Sequence, residues 1–207
     1  MQLVTGHSSG ATLAETQPAK LAAFEGHYPT APAGLYILGW VDEEQESVKG
    51  IRIPGLLSFL VYGDTSRPVT GLDDFPPDER PPVNIVFQTY HIMVGIGFTL
   101  IVLSLVGFWA WKREWLYTNR KLLWLYVFAV LLPQMANQLG WFSAEIGRQP
   151  WIVYGLLKTK DALSRSVSAE HVVASLVMFG AIYLLLFVLF VYLLNEKIQH
   201  GPDEVVR

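Results

Sequence analysis

The chain has 207 residues, of which 52% are hydrophobic and only 16% charged, with a formal net charge of −3. A soluble domain carries roughly a quarter charged residues, and the apolar residues here are bunched rather than periodic, so the chain reads as an integral membrane protein. No basic or acidic run suggests nucleic acid. Cysteine is absent, which excludes disulfides, thiolate zinc sites, iron–sulfur clusters and covalently attached c-type haem.

Met1-Gln2-Leu3-Val4-Thr5-Gly6-His7 has no basic n-region and no apolar stretch, so no cleavable signal peptide is expected. Residues 1–82 read as an extramembrane segment, rich in Gly, Pro, Ser and acidic residues and closed by the stiff, turn-forming run Asp73 to Pro82. Within it, Pro18 to Glu25 predicts a short helix with proline in its first turn. Ile51 to Tyr62 is apolar but too short to span a bilayer and is expected to be a packed or interfacial piece.

Residues 83–207 read as a three-helix transmembrane region. Val83–Trp111, Leu122–Ala144 and Val172–Leu194 each approach or exceed the roughly 20 residues that a spanning helix needs. The fold class is therefore all-α integral membrane, with three transmembrane helices after an extramembrane loop segment. Ser168 is placed to cap the third helix, with Glu170 in its first turn. The short connection Lys112 to Lys121 holds four basic residues (Lys112, Arg113, Arg120 and Lys121) inside an aromatic belt of Trp109, Trp111, Trp115, Tyr117, Trp124 and Tyr126. The longer connection Gly147 to Glu170 also holds four (Arg148, Lys158, Lys160 and Arg165). The concentration in the short loop favours a cytoplasmic position for it. The N-terminal segment then lies on the outer face and the C-terminus in the cytoplasm. Met93, Glu145, Arg148 and His171 fall in one outer layer.

Several residues carry two readings. Met93 is a flexible core filler or, through its thioether, an axial haem ligand. His91 bonds loop carbonyls or water near the interface, or serves as a ligand. Gly95 and Gly97 allow close approach of a helix or a flat cofactor. Gln138, Trp141, Glu145 and Arg148 are spaced by three, four and three residues and share a helix face. Glu145 and Arg148 form a surface ion pair, or a functional pair in which the carboxylate ligates metal or accepts a proton while the guanidinium neutralises a propionate. Lys20 and Glu25 flank an apolar helical patch; five residues apart, they diverge by about 140° around an ideal helix and cannot both face inward. His7, His27, His171 and His200 read as incidental. No Ser/His/Asp grouping, P-loop or dinucleotide fingerprint is present.

Three stretches together resemble a known family. They are Gly6-His7-Ser8-Ser9-Gly10 followed by Gln17 to Glu25, then His91-Ile92-Met93-Val94-Gly95, and Gly140-Trp141-Phe142 leading into Glu145 and Gly147-Arg148-Gln149-Pro150-Trp151. In order and spacing they resemble subunit I of cytochrome bd quinol oxidase. The resemblance implies an oxidoreductase of the respiratory chain that oxidises membrane quinol and reduces dioxygen to water. It does so through two haem b groups and one haem d, generating a proton gradient without pumping. It implies that Met93 ligates the iron of the low-spin haem b and that Glu145 ligates the iron of a high-spin haem. Trp141, Arg148 and His91 then line the cofactors, and Lys20 and Glu25 act in a short quinol-binding loop.

Two departures stand out: His91 where many relatives carry arginine, and Gln138 where glutamate is common. The family's N-terminal half has no counterpart here. The chain is therefore expected to be a C-terminal portion, inactive alone. Its expected partners are that missing half, oxidase subunit II and a small single-span subunit, in the lipid of a bacterial or archaeal cell membrane. The alternative is a non-catalytic three-helix assembly or quinone-anchor protein derived from that subunit.

Overall fold

The computed structural model describes residues 10–164 and 166–201. Gly6 to Ser9, with His7, and Arg165 lie outside the described residues. The chain divides into two compact units, Met1–Ala162 and Leu163–Arg207. It is mostly helical, and three helices are long and apolar enough to cross a membrane: Pro77–Lys112, Arg120–Gly147 and Ala169–His200.

The first unit opens with a helical segment over residues 10–16 (α1) and α2, Pro18–Glu25. Proline stands at the start of α2, where its missing N–H costs nothing. The helix ends in a Schellman turn: Gly26 adopts a left-handed φ of 57°, and the N–H groups of Gly26 and His27 donate to the carbonyls of Ala23 and Ala22. Glycine is required twice over, since a Cβ there would lie 2.5 Å from Val48 Cγ2.

Next come β1 (Ala31–Pro32), β2 (Leu35–Asp42), β3 (Ser47–Ile53), α3 (Leu56–Tyr62) and β4 (Pro68–Val69). β1 pairs with β4, and β2 with β3 in an antiparallel hairpin. The expected extramembrane loop segment thus contains two strand pairs. Glycines at 39 and 50, paired across the hairpin, interrupt the alternation that marks a strand. Ile51–Tyr62 is accordingly the end of β3 followed by a separate short helix.

Helix α4, Val83–Lys112, follows after Pro82. Proline has no capping side chain, and the hairpin supplies the cap instead: Glu43 Oε1 accepts from the Asn84 N–H at 2.6 Å, placing a carboxylate at the positive end of the helix. After a turn at Glu114, α5 runs Arg120–Ala129, capped by Asn119, whose side chain accepts from the Leu122 N–H. α6 runs Leu132–Gly147. The second expected span is therefore broken at Val130 and Leu131. Pro133 is the reason: its ring meets the carbonyl four residues back and its missing N–H removes one helix bond. α6 ends at Gly147, three residues beyond the expected Ala144. A short pair, β5 (Trp151–Val153) and β6 (Leu157–Lys158), closes the unit. Lys158 ties it to the lead-in of α4, with Nζ 3.0 Å from both Asp78 and Glu79.

The buried core joins α2, β2 and the start of α4: Ala22, Ala23, Phe24, Tyr28, Val41, Leu72, Val83, Val86 and Phe87. Farther along, α4 packs on α6 and α5; Tyr126 of α5 donates to the Leu103 carbonyl. Most other apolar side chains of these helices are exposed, as expected of surfaces meant for lipid or further protein.

Among its described residues the second unit holds one helix, α7, Ala169–His200, with Glu170 in its first turn. Ser168 takes the N-cap position, but its hydroxyl pairs with His171 Nδ1 at 3.0 Å and makes no side-chain cap bond. The ring one turn on competes for the hydroxyl.

Gly147 is where α2 meets α6 and α4: a Cβ there would come within 3.2–3.3 Å of Phe24, Lys20 and Val86. Gly147→Val is expected to push α2 off both helices, at about 1–3 kcal/mol of overpacking. The thermal midpoint of the solubilised protein should fall; an unchanged midpoint would contradict this packing.

Candidate functional site

The divergence expected for Lys20 and Glu25 is present, and each side chain has its own destination. Lys20, half-buried, extends to the C-terminal end of α6, where Nζ donates to the Ala144 carbonyl at 2.9 Å. Helix C-termini leave carbonyls without partners, and a cation there is favourable. Burial lowers the Lys20 pKa, Glu145 opposes that shift, and Arg148 adds to it. Lys20 therefore shares its surroundings with the Glu145–Arg148 pair.

Glu25 points the other way and is 2% exposed. Burial raises its pKa from 4.5 to about 8, while a backbone bond from Tyr36 pulls it down. Its Oε2 has no hydrogen-bond partner within the described residues. The nearest cationic candidate is His91 Nε2, 4.0 Å away. His91 is held rigidly: its two ring nitrogens lie 2.9 Å from the carbonyls of Phe87 and Tyr36, and its ring stacks on Phe87 at 3.9 Å between centroids. Tyr90 stands edge-on to it and stacks on Phe24 at 4.5 Å. The result is a buried aromatic setting for one carboxyl, built by α2, β2 and α4. The spacing of residues could not reveal it, because 66 positions separate Glu25 from His91 and one partner is the backbone of Tyr36.

Met93 is half-buried two residues past His91, at the α4–α6 contact. Its Sδ occupies the space over Gly140, where a Cβ would come within 2.7 Å. Gly95 and Gly97 of the same helix face open space. Glu145 lies five residues after Gly140, about 7.5 Å farther along α6. Its carboxylate is 2.5 Å from Arg148, and both side chains are 40% exposed. Arg148 Nε is buried and unpartnered within the described residues. Trp141 is exposed and lines a shallow depression with Asn137 and Gln138. His171 belongs to the second unit.

The fold thus joins Lys20 to the end of α6, Glu25 to His91, and Met93 to Gly140. It keeps the Lys20 and Glu25 head groups apart. Among the described residues no three His, Asp or Glu side chains cluster as a metal site.

Comparison with known proteins gives a concordant picture. A family model described as "Cytochrome bd terminal oxidase subunit I" matches residues 1–202. The chain is 34% identical over 212 residues to "Cytochrome bd ubiquinol oxidase subunit 1" of Bacillus subtilis (strain 168), covering 97% of this chain and 45% of that protein. It is 26% identical over 269 residues to "Cytochrome bd-II ubiquinol oxidase subunit 1" of Escherichia coli (strain K12), covering 97% and 52%. The structure of bd oxidase from Geobacillus thermodenitrificans superposes with a TM-score of 0.79 at 36% identity, covering 97% of this chain and 46% of that one. The chain spans about half the length of the relatives it matches. It belongs to the cytochrome bd terminal oxidase subunit I family.

Proposed function

We propose that this chain is the C-terminal portion of the quinol-oxidising, haem-bearing subunit of a bd-type terminal oxidase, active only in a larger complex. Residues 1–82 form its quinol-binding segment and residues 83–207 its transmembrane region with the haem-ligand positions. The observation that carries this reading is the double reach of α2. One eight-residue helix buries Glu25 against α4 and sends Lys20 onto the end of α6. A quinol head group needs two things, a hydrogen-bond donor and a base that takes its protons, and these two residues supply them.

The residues also suit one side of a haem. Met93 offers a thioether at the α4–α6 seam, beside glycines whose open faces admit a flat ring. Glu145 offers a carboxylate at the end of α6, and Arg148 carries a buried N–H without a partner, suited to an anionic propionate. In this reading Met93 ligates the iron of the low-spin haem b, Glu145 ligates that of a high-spin haem, and Trp141 and His91 border the cofactors. The bound groups, two haem b and one haem d, supply one-electron acceptors and an iron at which dioxygen is reduced to water. Lys20 would hydrogen-bond the head group at the end of α6, and Glu25, buried on the other side of α2 beside His91, would take the released proton without touching the head group. Proton release outside and uptake from inside would give a gradient without pumping.

The complex requires the polypeptide corresponding to the other half of its relatives, oxidase subunit II and a small single-span subunit. It lies in a bacterial or archaeal cell membrane, with the N-terminal segment outside and the C-terminus in the cytoplasm.

Two outcomes follow. In the assembled complex, Glu145→Ala is expected to remove the high-spin haem signal and Met93→Leu to alter the low-spin haem spectrum; unchanged haem spectra for both would refute the ligand assignment. The second concerns pH. A carboxyl with its folded pKa raised to about 8 keeps its proton in the fold when the unfolded chain has lost it. Stability should therefore fall as pH rises from 4.5 to 8, by about 1.4 kcal/mol per unit at most. Glu25→Gln should flatten that slope and lower quinol oxidation about 100-fold or more. Retained turnover would show that Glu25 is not the base.

A further inference from the structure

The β2–β3 hairpin has two apolar faces, where an exposed antiparallel hairpin ordinarily has one. The inner face carries Gly39, Val41 and Val48, packed against Gly26 and Phe87. On the outer face, set by the pairing of Leu38 with Ile51 and Trp40 with Lys49, Leu38 is 65%, Trp40 62% and Ile51 63% exposed. Ile53 continues the same face and is exposed as well. A water-facing hairpin with such a surface would be a pairing and aggregation hazard.

The level of this face along α4 identifies what covers it. The hairpin runs beside the first turns of α4 through three hydrogen bonds: Glu43 of its turn accepts from the Asn84 N–H, the Gly39 carbonyl accepts from Gln88 and the Tyr36 carbonyl pairs with His91 Nε2. At the other end of α4, Trp109, Trp111, Lys112 and Arg113 mark an interface. Counting back about 20 residues, or 30 Å of hydrocarbon, from Trp109 brings the opposite hydrocarbon edge to the neighbourhood of Thr89 to His91. The hairpin lies across that edge.

The composition of the turn and the outer face is graded in the same direction, while Arg52, paired with Tyr36, falls on the other face. The turn, level with Asn84, holds Glu43, Glu44 and Glu46. The Asp42–Lys49 ion pair follows, then Trp40, then Leu38 and Ile51 toward the His91 level. Charge, amphipathic aromatic and aliphatic, in that order, is the polarity sequence from headgroup to acyl chain.

We infer that the outer face of the β2–β3 hairpin, through Leu38, Trp40, Ile51 and Ile53, rests in the bilayer interface against lipid. Part of the segment outside the membrane helices is thereby a lipid-embedded element. This rests on α4 spanning the membrane and is independent of the quinol reaction. It would also seat the strand that holds His91 at the edge of the compartment in which a lipid-soluble substrate diffuses.

The chain has no cysteine, so single spin labels are unique within it. Nitroxides at Leu38→Cys and, separately, Ile51→Cys would be read in the full complex, reconstituted in phosphatidylethanolamine–phosphatidylglycerol bilayers. Collision with dissolved oxygen should exceed collision with a water-soluble nickel chelate several-fold at both, and the order should reverse at Glu44→Cys on the turn. Ile53→Cys, on the same face, replaces either variant if it does not assemble. Dominant nickel collision would mean a water-exposed face and overturn the inference. Low collision with both reagents would mean that another protein segment covers the hairpin, and would overturn it equally.

Discussion

The Lys20 ammonium lies 2.9 Å from the Ala144 carbonyl, in the last turn of a membrane helix, where carbonyls lack the N–H of a following turn. That bond, with the close approach permitted by Gly147, fixes α2 against α6. Because α2 is fixed there, its far end must carry Glu25 into the space between β2 and α4. A single short helix therefore sets the environment of two titratable groups on two different membrane helices. Replacing Gly147 with any larger residue would act on both at once.

The two destinations differ in their electrostatics. Lys20 sits with one carboxylate and one guanidinium at a half-exposed helix end, where charges screen one another. Glu25 sits among aromatic rings, with one oxygen lacking a partner among the described residues, and burial lifts its pKa to about 8, in the range where a carboxyl can both take and release a proton near neutral pH. A buried carboxyl with one oxygen unpaired is costly to keep. Such costs concentrate at functional sites, and the Glu25 pocket is the clearest case in this chain.

The membrane helices were legible because length and apolarity decide them: Val83 to Trp111 was read to within a residue of α4. Pro18 to Glu25 was legible because proline marks one end of α2 and Gly26 the other. The hairpin was not, because Gly39 and Gly50 break the alternation and its outer face is apolar where polar residues would have marked a strand. The break before α6 was readable from Pro133 but was absorbed into a long apolar run. At the site, the face shared by Trp141 and Glu145 and the divergence of Lys20 from Glu25 follow from helical periodicity. The approach of His91 to Glu25 does not, since it depends on a strand backbone that no side-chain pattern announces.

Electron flow from quinol is read in the absorption spectrum of membranes in which this chain is co-expressed with polypeptides matching the rest of its relatives, recorded before and after quinol is added and again after oxygen is admitted. Haem b bands and a far-red chlorin band should appear with quinol and fade with oxygen. An assembled complex with no quinol-reducible haem would contradict that electron flow, and would leave the chain a membrane assembly element of the same family.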